Sequence, residues 1–272
     1  MINNKKAYFN KVITVLKKVL PPFITIFAFL LIYFPIMVIT LLSFNDSKKD
    51  YTFRGFSLRW YREILLDDDL FLAIFNTLTI AILSTIIATI VGTITAIGIN
   101  SLTKNNRIKM MILNNVPVIN PDIVTGISIM LVLGLFPISF GMKTMLLAHV
   151  FFSIPFVVLT VLPKLKELDP NLFDAALDLG CTRFKAIRKV IIPSIKTGII
   201  GGALIAFTMS IDDFVISYFT TGPAFQNVSI YIYTSLGRKS FSPAVYSYNT
   251  LVVFVTIFTL LIINKFNKKQ KV

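Results

Sequence analysis

The chain has 272 residues, 55% of them hydrophobic and 25 of them phenylalanine, and its mean hydropathy is +0.78. That composition excludes an ordinary soluble domain and reads as an all-α polytopic membrane protein. The formal net charge of +14 does not signal nucleic acid, because the cations sit between apolar runs, and the single Cys181 excludes an internal disulfide.

Residues 1–20 carry Lys5, Lys6, Lys11, Lys17 and Lys18, with Val12, Val15, Leu16 and Val19 on one helical side. This pattern predicts a basic amphipathic lead-in lying along the membrane surface. After Pro21–Pro22 comes the first long apolar run, about Phe23 to Phe44. Its length and the lack of a small-residue cleavage site favour a retained anchor over a removed signal peptide. The loop from Asn45 to Asp69 holds Arg59, Trp60, Tyr61 and Arg62, which read as interface anchors or as a contact for an external binding protein.

Further apolar spans run from about Leu70 to Ile99, Lys109 to Leu135, Met142 to Leu162, Thr197 to Phe219 and Ala244 to Asn264. Each is long enough to cross a bilayer as a helix, which makes six transmembrane helices in a single domain, 1–272. Pro117 and Pro121 break the third span, where Asn120 reads as a helix cap and Asp122 sits at the positive end of the new helix dipole. With both termini placed inside, the inner segments carry 5, 3, 7 and 4 Lys and Arg, and the outer ones 5, 1 and 2. Charge asymmetry therefore predicts cytoplasmic termini.

A charged island, Lys164 to Pro193, interrupts the oily chain on the cytoplasmic side. Asp169–Pro170 predicts a helix start and Gly180 a helix stop. Between them Leu172, Phe173, Ala176, Leu177 and Leu179 form an apolar stripe, and a second short helix spans Thr182 to Val190. A solvated connector has little reason to carry such a stripe, so the island reads as a docking element.

Three acids stay inside the spans: Asp122, Asp212 and Asp213. Each carboxylate at the bilayer centre costs about 2.5–3.5 kcal/mol, and no Lys or Arg lies near the middle of any span to pair with it. Unpaired intramembrane acids suit a route for a positively charged solute. Counting about 1.5 Å per residue along straight helices puts Asp122 and Asp212 near the same depth, ~22 Å from the inner face. On a continuous helix Asp212 and Asp213 point about 100° apart, so one is expected to line the path and the other to be held by hydrogen bonds. Structural readings stand beside these: Asp122 as a helix start, and the Asp pair as a satisfied polar feature.

His149 reads as a satisfied buried histidine or as a pH-sensing, cavity-lining group. Gly198 and Gly202, at GxxxG spacing, fit internal packing or an interface with a second permease. Tyr218, Tyr231 and Tyr233 are interface-belt tyrosines or cation–π partners for an alkylammonium group. None of the glycines forms a phosphate-cradling GxxxxGK[ST] loop, no Cys/His cluster suggests a metal or other cofactor, and one histidine supports no nucleophile–base pair. The chain reads as no enzyme.

Asp174-Ala175-Ala176, three residues, Gly180, nine more, then Val190-Ile191-Ile192-Pro193 resembles the EAA motif of ABC-importer permeases. Asp174 stands where that family has Glu, and Ile192 where it has Leu. Phe207 to Phe214 and Tyr218 to Pro223 resemble the second permease of polyamine (spermidine/putrescine) importers. The resemblance implies a type I (MetI-like) fold in a bacterial inner membrane. It implies an ATPase-coupling role for Asp174, Ala175, Ala176, Gly180 and Pro193, while the substrate pathway at Asp122, Asp212 and Asp213 is read from the unpaired intramembrane acids. The implied partners are a homologous permease in a heterodimer, two ABC ATPase subunits and an extracytoplasmic polyamine-binding protein. Rival readings are a permease for another cation or small solute, and a scaffold or gradient-driven carrier without an ATPase.

Overall fold

The computed structural model describes residues 2–47, 52–237 and 242–269, and the side chains of 18, 20–47, 52–236 and 242–258. The amphipathic face of the lead-in and the loop at Arg238–Lys239 lie outside the described part. In chain order the helices are α1 (Ile2–Ser43), α2 (Arg59–Glu63), α3 (Asp68–Ser101), α4 (Lys104–Ile119), α5 (Asp122–Gly134), α6 (Met142–Lys166) and α7 (Leu172–Asp178). They continue with α8 (Arg183–Ala186), a π-helical turn (Ile187–Ile191), α9 (Ile192–Ser194), α10 (Lys196–Ile211), α11 (Val215–Thr220), α12 (Val228–Gly237) and α13 (Ala244–Lys269). Among the described residues there is no β-strand, only an isolated bridge between Asn45 and Phe56.

The elements cluster into two compact units, residues 68–239 and the two flanks 1–67 and 240–272. In the flanking unit α1 is helical straight through Pro21–Pro22 and packs with α13, which also meets α2. Asn45 organises the loop that follows: its side chain donates to Thr52 O (2.9 Å) and accepts from Arg54 N (2.9 Å). Trp60 is buried and donates Nε1–H to Asn45 O at 2.5 Å, while Tyr61 Oη and Ser43 Oγ are 2.9 Å apart. Both aromatics thus pin the loop to the end of α1. The polar tips of both are satisfied within the protein.

In the larger unit α3, α6 and α10 form the core, with Ala88, Ala96, Val157, Val161, Leu162 and Ala206 buried between them. Small residues set the spacing. A Cβ on Gly92 would sit 2.7 Å from Val157 Cβ, and one on Gly202 would sit 2.6 Å from Thr160 Oγ1 and 3.2 Å from Val157 Cα. Gly198 likewise faces Lys164 on α6. The glycine pair therefore serves internal packing, as small-residue contacts do wherever membrane helices must approach closely. Gly202→Ala is expected to destabilise by about 1–3 kcal/mol, because α10 and α6 must separate. Gly201→Ala, whose Cβ would meet nothing within 4 Å, is expected to change little. Thermal melts of the two purified variants against the parent check the contrast.

Among the described residues three helical stretches are long and apolar enough to cross a membrane unbroken: Leu20–Ser43, Asp68–Ser101 and Met142–Lys166. The predicted third span is α4 and α5 bent 104° apart at Asn120–Pro121, and the chain bends 73° between Arg183–Ser194 and α10. The helix restarts at Asp122 without a side-chain cap, so Asn120 does not play the expected role. The predicted fifth span also departs from a single helix: α10 stops at Ile211 and α11 begins at Val215. The bend ahead of Asp122 defeats the straight-rod depth estimate for the third span, whereas α10 runs unbroken up to Asp212.

Candidate functional site

The break at 212–214 contains no Gly or Pro, so it is held by side chains. Asp213 accepts from the backbone N–H of Ser217 at 2.7 Å and of Ile216 at 3.3 Å, satisfying two donors in the first turn of α11. Its Oδ2 lies 3.6 Å from His149 Nε2. His149 is fully buried, with Nδ1 2.6 Å from Ser210 Oγ and Nε2 3.0 Å from Ser217 Oγ. Ser84 donates to Ser210 at 3.0 Å, so the chain of polar contacts reaches from α3 through α10 and α6 to α11. Asn227 closes it, donating to Ser217 Oγ (2.8 Å) and Asp213 O (3.2 Å) while its Oδ1 accepts from Ile230 N (2.9 Å). Both ring nitrogens of His149 have partners, which matches its reading as a satisfied buried histidine.

Asp212 differs from its neighbour. It is exposed, and no described Lys or Arg forms an ion pair with it, with Asp213 or with Asp122. Asp122, also exposed, opens the first turn of α5. Helix α5 is drawn against α11 at Gly126, where a Cβ would lie 3.0 Å from the Phe219 ring and 3.6 Å from Ile216 Cα. That contact brings Asp122 within electrostatic reach of Asp213, which in turn acts on Asp212. The three acids are gathered at two broken helices, with two carboxylates open and one held. A group of like charges without a basic partner is stabilised by water or by a cation that comes to it. Among the described residues no set of His, Cys, Asp and Glu is arranged to hold a metal ion.

Reasoning on sequence missed Ser84, Ser210, Ser217 and Asn227. A serine or asparagine inside an apolar run carries a signal only once its partner is known. Tyr231 is buried, whereas Tyr218 and Tyr233 are about half exposed.

At the other end of the unit, α7 starts at Leu172, two residues later than expected. Asp169 instead builds a turn ahead of it, its carboxylate taking Asn171 N–H at 2.9 Å and its carbonyl Leu172 N–H at 3.1 Å. The stop is as read: Gly180 adopts φ +81°, Gly180 N–H bonds Leu177 O (2.8 Å) and Cys181 N–H bonds Ala176 O (3.1 Å). The apolar stripe divides. Leu172 and Phe173 pack inward on the α3–α6–α10 core and Ala176 is buried, while Leu179 and Phe184 stand exposed around Gly180. Asp174 and Ala175 are exposed beside them. Thr182 caps α8 by accepting Lys185 N–H at 3.4 Å, and the π turn then carries the chain to Pro193.

A family model described as "Binding-protein-dependent transport system inner membrane component" matches residues 88–270. The chain belongs to this family. It is a transmembrane permease component, and the permease is similar to the "Spermidine/putrescine transport system permease protein PotC" of Escherichia coli K12, with 33% identity over 232 residues, 85% of this chain and 87% of that one. It is 34% identical over 240 residues to the "Putrescine transport system permease protein PotI" of the same organism, covering 85% of this chain and 84% of that one. The fold of the permease is also found in the crystal structure of a bacterial ABC transporter involved in the import of the acidic polysaccharide alginate. That likeness has a TM-score of 0.69 at 16% identity and covers 94% of this chain and 98% of the other. A shared fold does not fix the cargo, so the cargo has to be argued from the site.

Proposed function

We propose that this permease is one transmembrane half of an ATP-driven importer for polyamines, the cargo named for its PotC and PotI relatives. The observation that carries the reading is the gathering of Asp122, Asp212 and Asp213 with no ion-paired Lys or Arg among the described residues. Asp122 and Asp212 replace part of the water shell of a passing ammonium, and Asp213 holds the break that presents them. Contacts of this kind are strong enough to admit a cation and open enough to release it. The permease pairs with a homologous permease, receives cargo from an extracytoplasmic binding protein and sits in the inner membrane with both termini cytoplasmic.

The island from Lys164 to Pro193 is the coupling element, and two ATPase subunits drive the assembly. Asp174, Ala175 and Ala176 belong to α7, Gly180 ends it, and Pro193 leads back into α10. Exposed Leu179 and Phe184 give an ATPase an apolar foothold, while inward-packed Phe173 carries its motion to the core. Nucleotide-driven closure of the ATPases then rocks the spans between outward and inward openings.

Two measurements test the two halves. Asp122→Asn and Asp212→Asn are each expected to reduce polyamine uptake by about tenfold to a hundredfold, the loss expected for removing a hydrogen bond to a charged group. Full uptake by both variants sinks the cargo assignment. A Cβ at Gly180 meets no atom within 4 Å, so the cost of Gly180→Ala lies in the left-handed backbone alone, roughly 1–2 kcal/mol. The substitution is expected to leave the membrane core folded and to reduce copurification of a nucleotide-binding partner. If no such partner accompanies the parent protein, the ATP-driven reading falls.

A further inference from the structure

The break at Asp212 is followed at once by a cluster of aromatic rings that the acid-based reading does not use. Phe214 and Tyr218 come from the start of α11 and Tyr233 from α12. The three ring centroids lie 5.5 Å (Phe214–Tyr218), 5.1 Å (Phe214–Tyr233) and 5.6 Å (Tyr218–Tyr233) apart. Their planes are inclined by 39°, 46° and 79°, so the rings form a corner and not a stack. Tyr218 and Tyr233 are 46% and 53% exposed, which leaves ring surface uncovered by the rest of the chain.

The rings are fixed relative to the carboxylates. Asn227 bonds Asp213 O and Ser217 Oγ on one side and Ile230 N on the other, so it ties the start of α12 to the break. Tyr233 follows Ile230 by three residues, and Tyr218 follows Ser217 directly. One hydrogen-bonded frame therefore carries an open carboxylate at 212, Phe214 and Tyr218 within six residues of it in sequence, and Tyr233 brought against them from α12. A bare metal cation gains nothing from the methylene-sized apolar part of such a surface, whereas an alkylammonium chain meets both features. Its ammonium is drawn to the carboxylate and to the negative faces of the rings, and its methylenes cover the aromatic carbon.

We propose that Phe214, Tyr218 and Tyr233 form an alkylammonium subsite beside Asp212, which selects organic polyammonium cargo over inorganic cations. The inference rests on the reading of Asp212 as part of the path and deepens it by assigning the chemical class of the ligand. The same chemistry also describes a lipid ammonium headgroup, and the test separates the two sources.

The intact transporter is reconstituted in vesicles and its KM for putrescine and for spermidine is measured with Phe, and then mono-, di- and trifluorinated phenylalanine, at 218 and separately at 233. Fluorine withdraws charge from the ring face and hardly changes its size, so packing and membrane anchoring are spared. With the Phe variant at each position as the reference, fluorination is expected to raise KM stepwise by about twofold to thirtyfold in all. A flat series at both positions overturns the subsite. Asp212→Asn in the same assay keeps the outcomes apart: a flat series with an impaired Asp212→Asn removes the rings and leaves the acids, and a flat series with an unimpaired Asp212→Asn removes both. The slope is expected to be the same in vesicles of phosphatidylglycerol alone and in vesicles with added phosphatidylethanolamine. A slope seen only with the amine lipid assigns the rings to a headgroup and overturns the cargo subsite.

Discussion

Asp213→Ala is expected to destabilise the permease by about 2–5 kcal/mol, whereas Asp212→Asn leaves stability unchanged and costs uptake alone. The two residues are neighbours of one type, yet their surroundings assign them different work. Asp213 satisfies the backbone N–H groups of Ile216 and Ser217 and lies against His149, so its loss leaves two first-turn donors without an acceptor and removes the carboxylate beside a buried imidazole that keeps its bond to Ser217. Each buried donor without a partner costs about 1–3 kcal/mol, and such losses compound where groups share one network. Asp213→Asn keeps one acceptor and is expected to fall between parent and alanine. Asp212 makes no bond that holds an element in place, so its amide variant melts with the parent. A thermal melt of each purified variant and of the parent, read beside its uptake rate, makes the comparison. Equal melting of Asp213→Ala and parent would remove Asp213 from its role in holding the break.

Much of this arrangement was legible locally. Gly180 as a stop needed only the apolar stripe before it and the freedom of glycine at positive φ, and the structure gives it φ +81°. Pro121 announced the break before Asp122, because proline both removes a donor and disfavours helix in the residue ahead of it, whereas α4 runs on through Pro117 against expectation. The break after Ile211 gave no such warning. Residues 197–219 read as one apolar helix, and what ends it is distant: His149 from α6, and Asn227 from the segment before α12, hold Asp213 and Ser217 in place. Tertiary hydrogen bonds of this kind override local propensity and leave no periodic trace. The same limit explains Trp60. Its residue type suggested the membrane interface, while its actual partner is a carbonyl 15 residues earlier. It explains the split of the apolar stripe too, since periodicity shows which residues share a face but not which of them a neighbouring core will cover.

The second large effect is expected at Gly222, and it follows from geometry alone. A Cβ built there would lie 2.0 Å from Phe140 O and 2.7 Å from Phe140 C, both backbone atoms that cannot rotate away. The segments on both sides are fastened. Thr144 Oγ1 donates to Thr220 O at 2.7 Å and Gly141 N–H donates to Thr144 Oγ1 at 2.8 Å, while Thr221 Oγ1 donates to Phe225 O across the turn. Gly222→Ala must therefore move the turn at 221–227 away from the start of α6, a displacement of the order of 1 Å. Asn227 stands at the end of that turn and Asn76 donates to Gln226 O at 2.9 Å, so the shift pulls on Asp213, on Ser217 and on α3 together. Overpacking against fixed backbone costs more than the 1–3 kcal/mol typical of an added methylene that flexible side chains can accommodate. Gly222→Ala is expected to give little folded protein and no measurable uptake. Gly98→Ala, with open space around its Cβ, is expected to match the parent in both. Fluorescence-detected size-exclusion of the two variants reads the comparison directly. A well-folded Gly222→Ala with normal uptake would mean that the turn is free to slide, and that Asn227 does not hold the break through it.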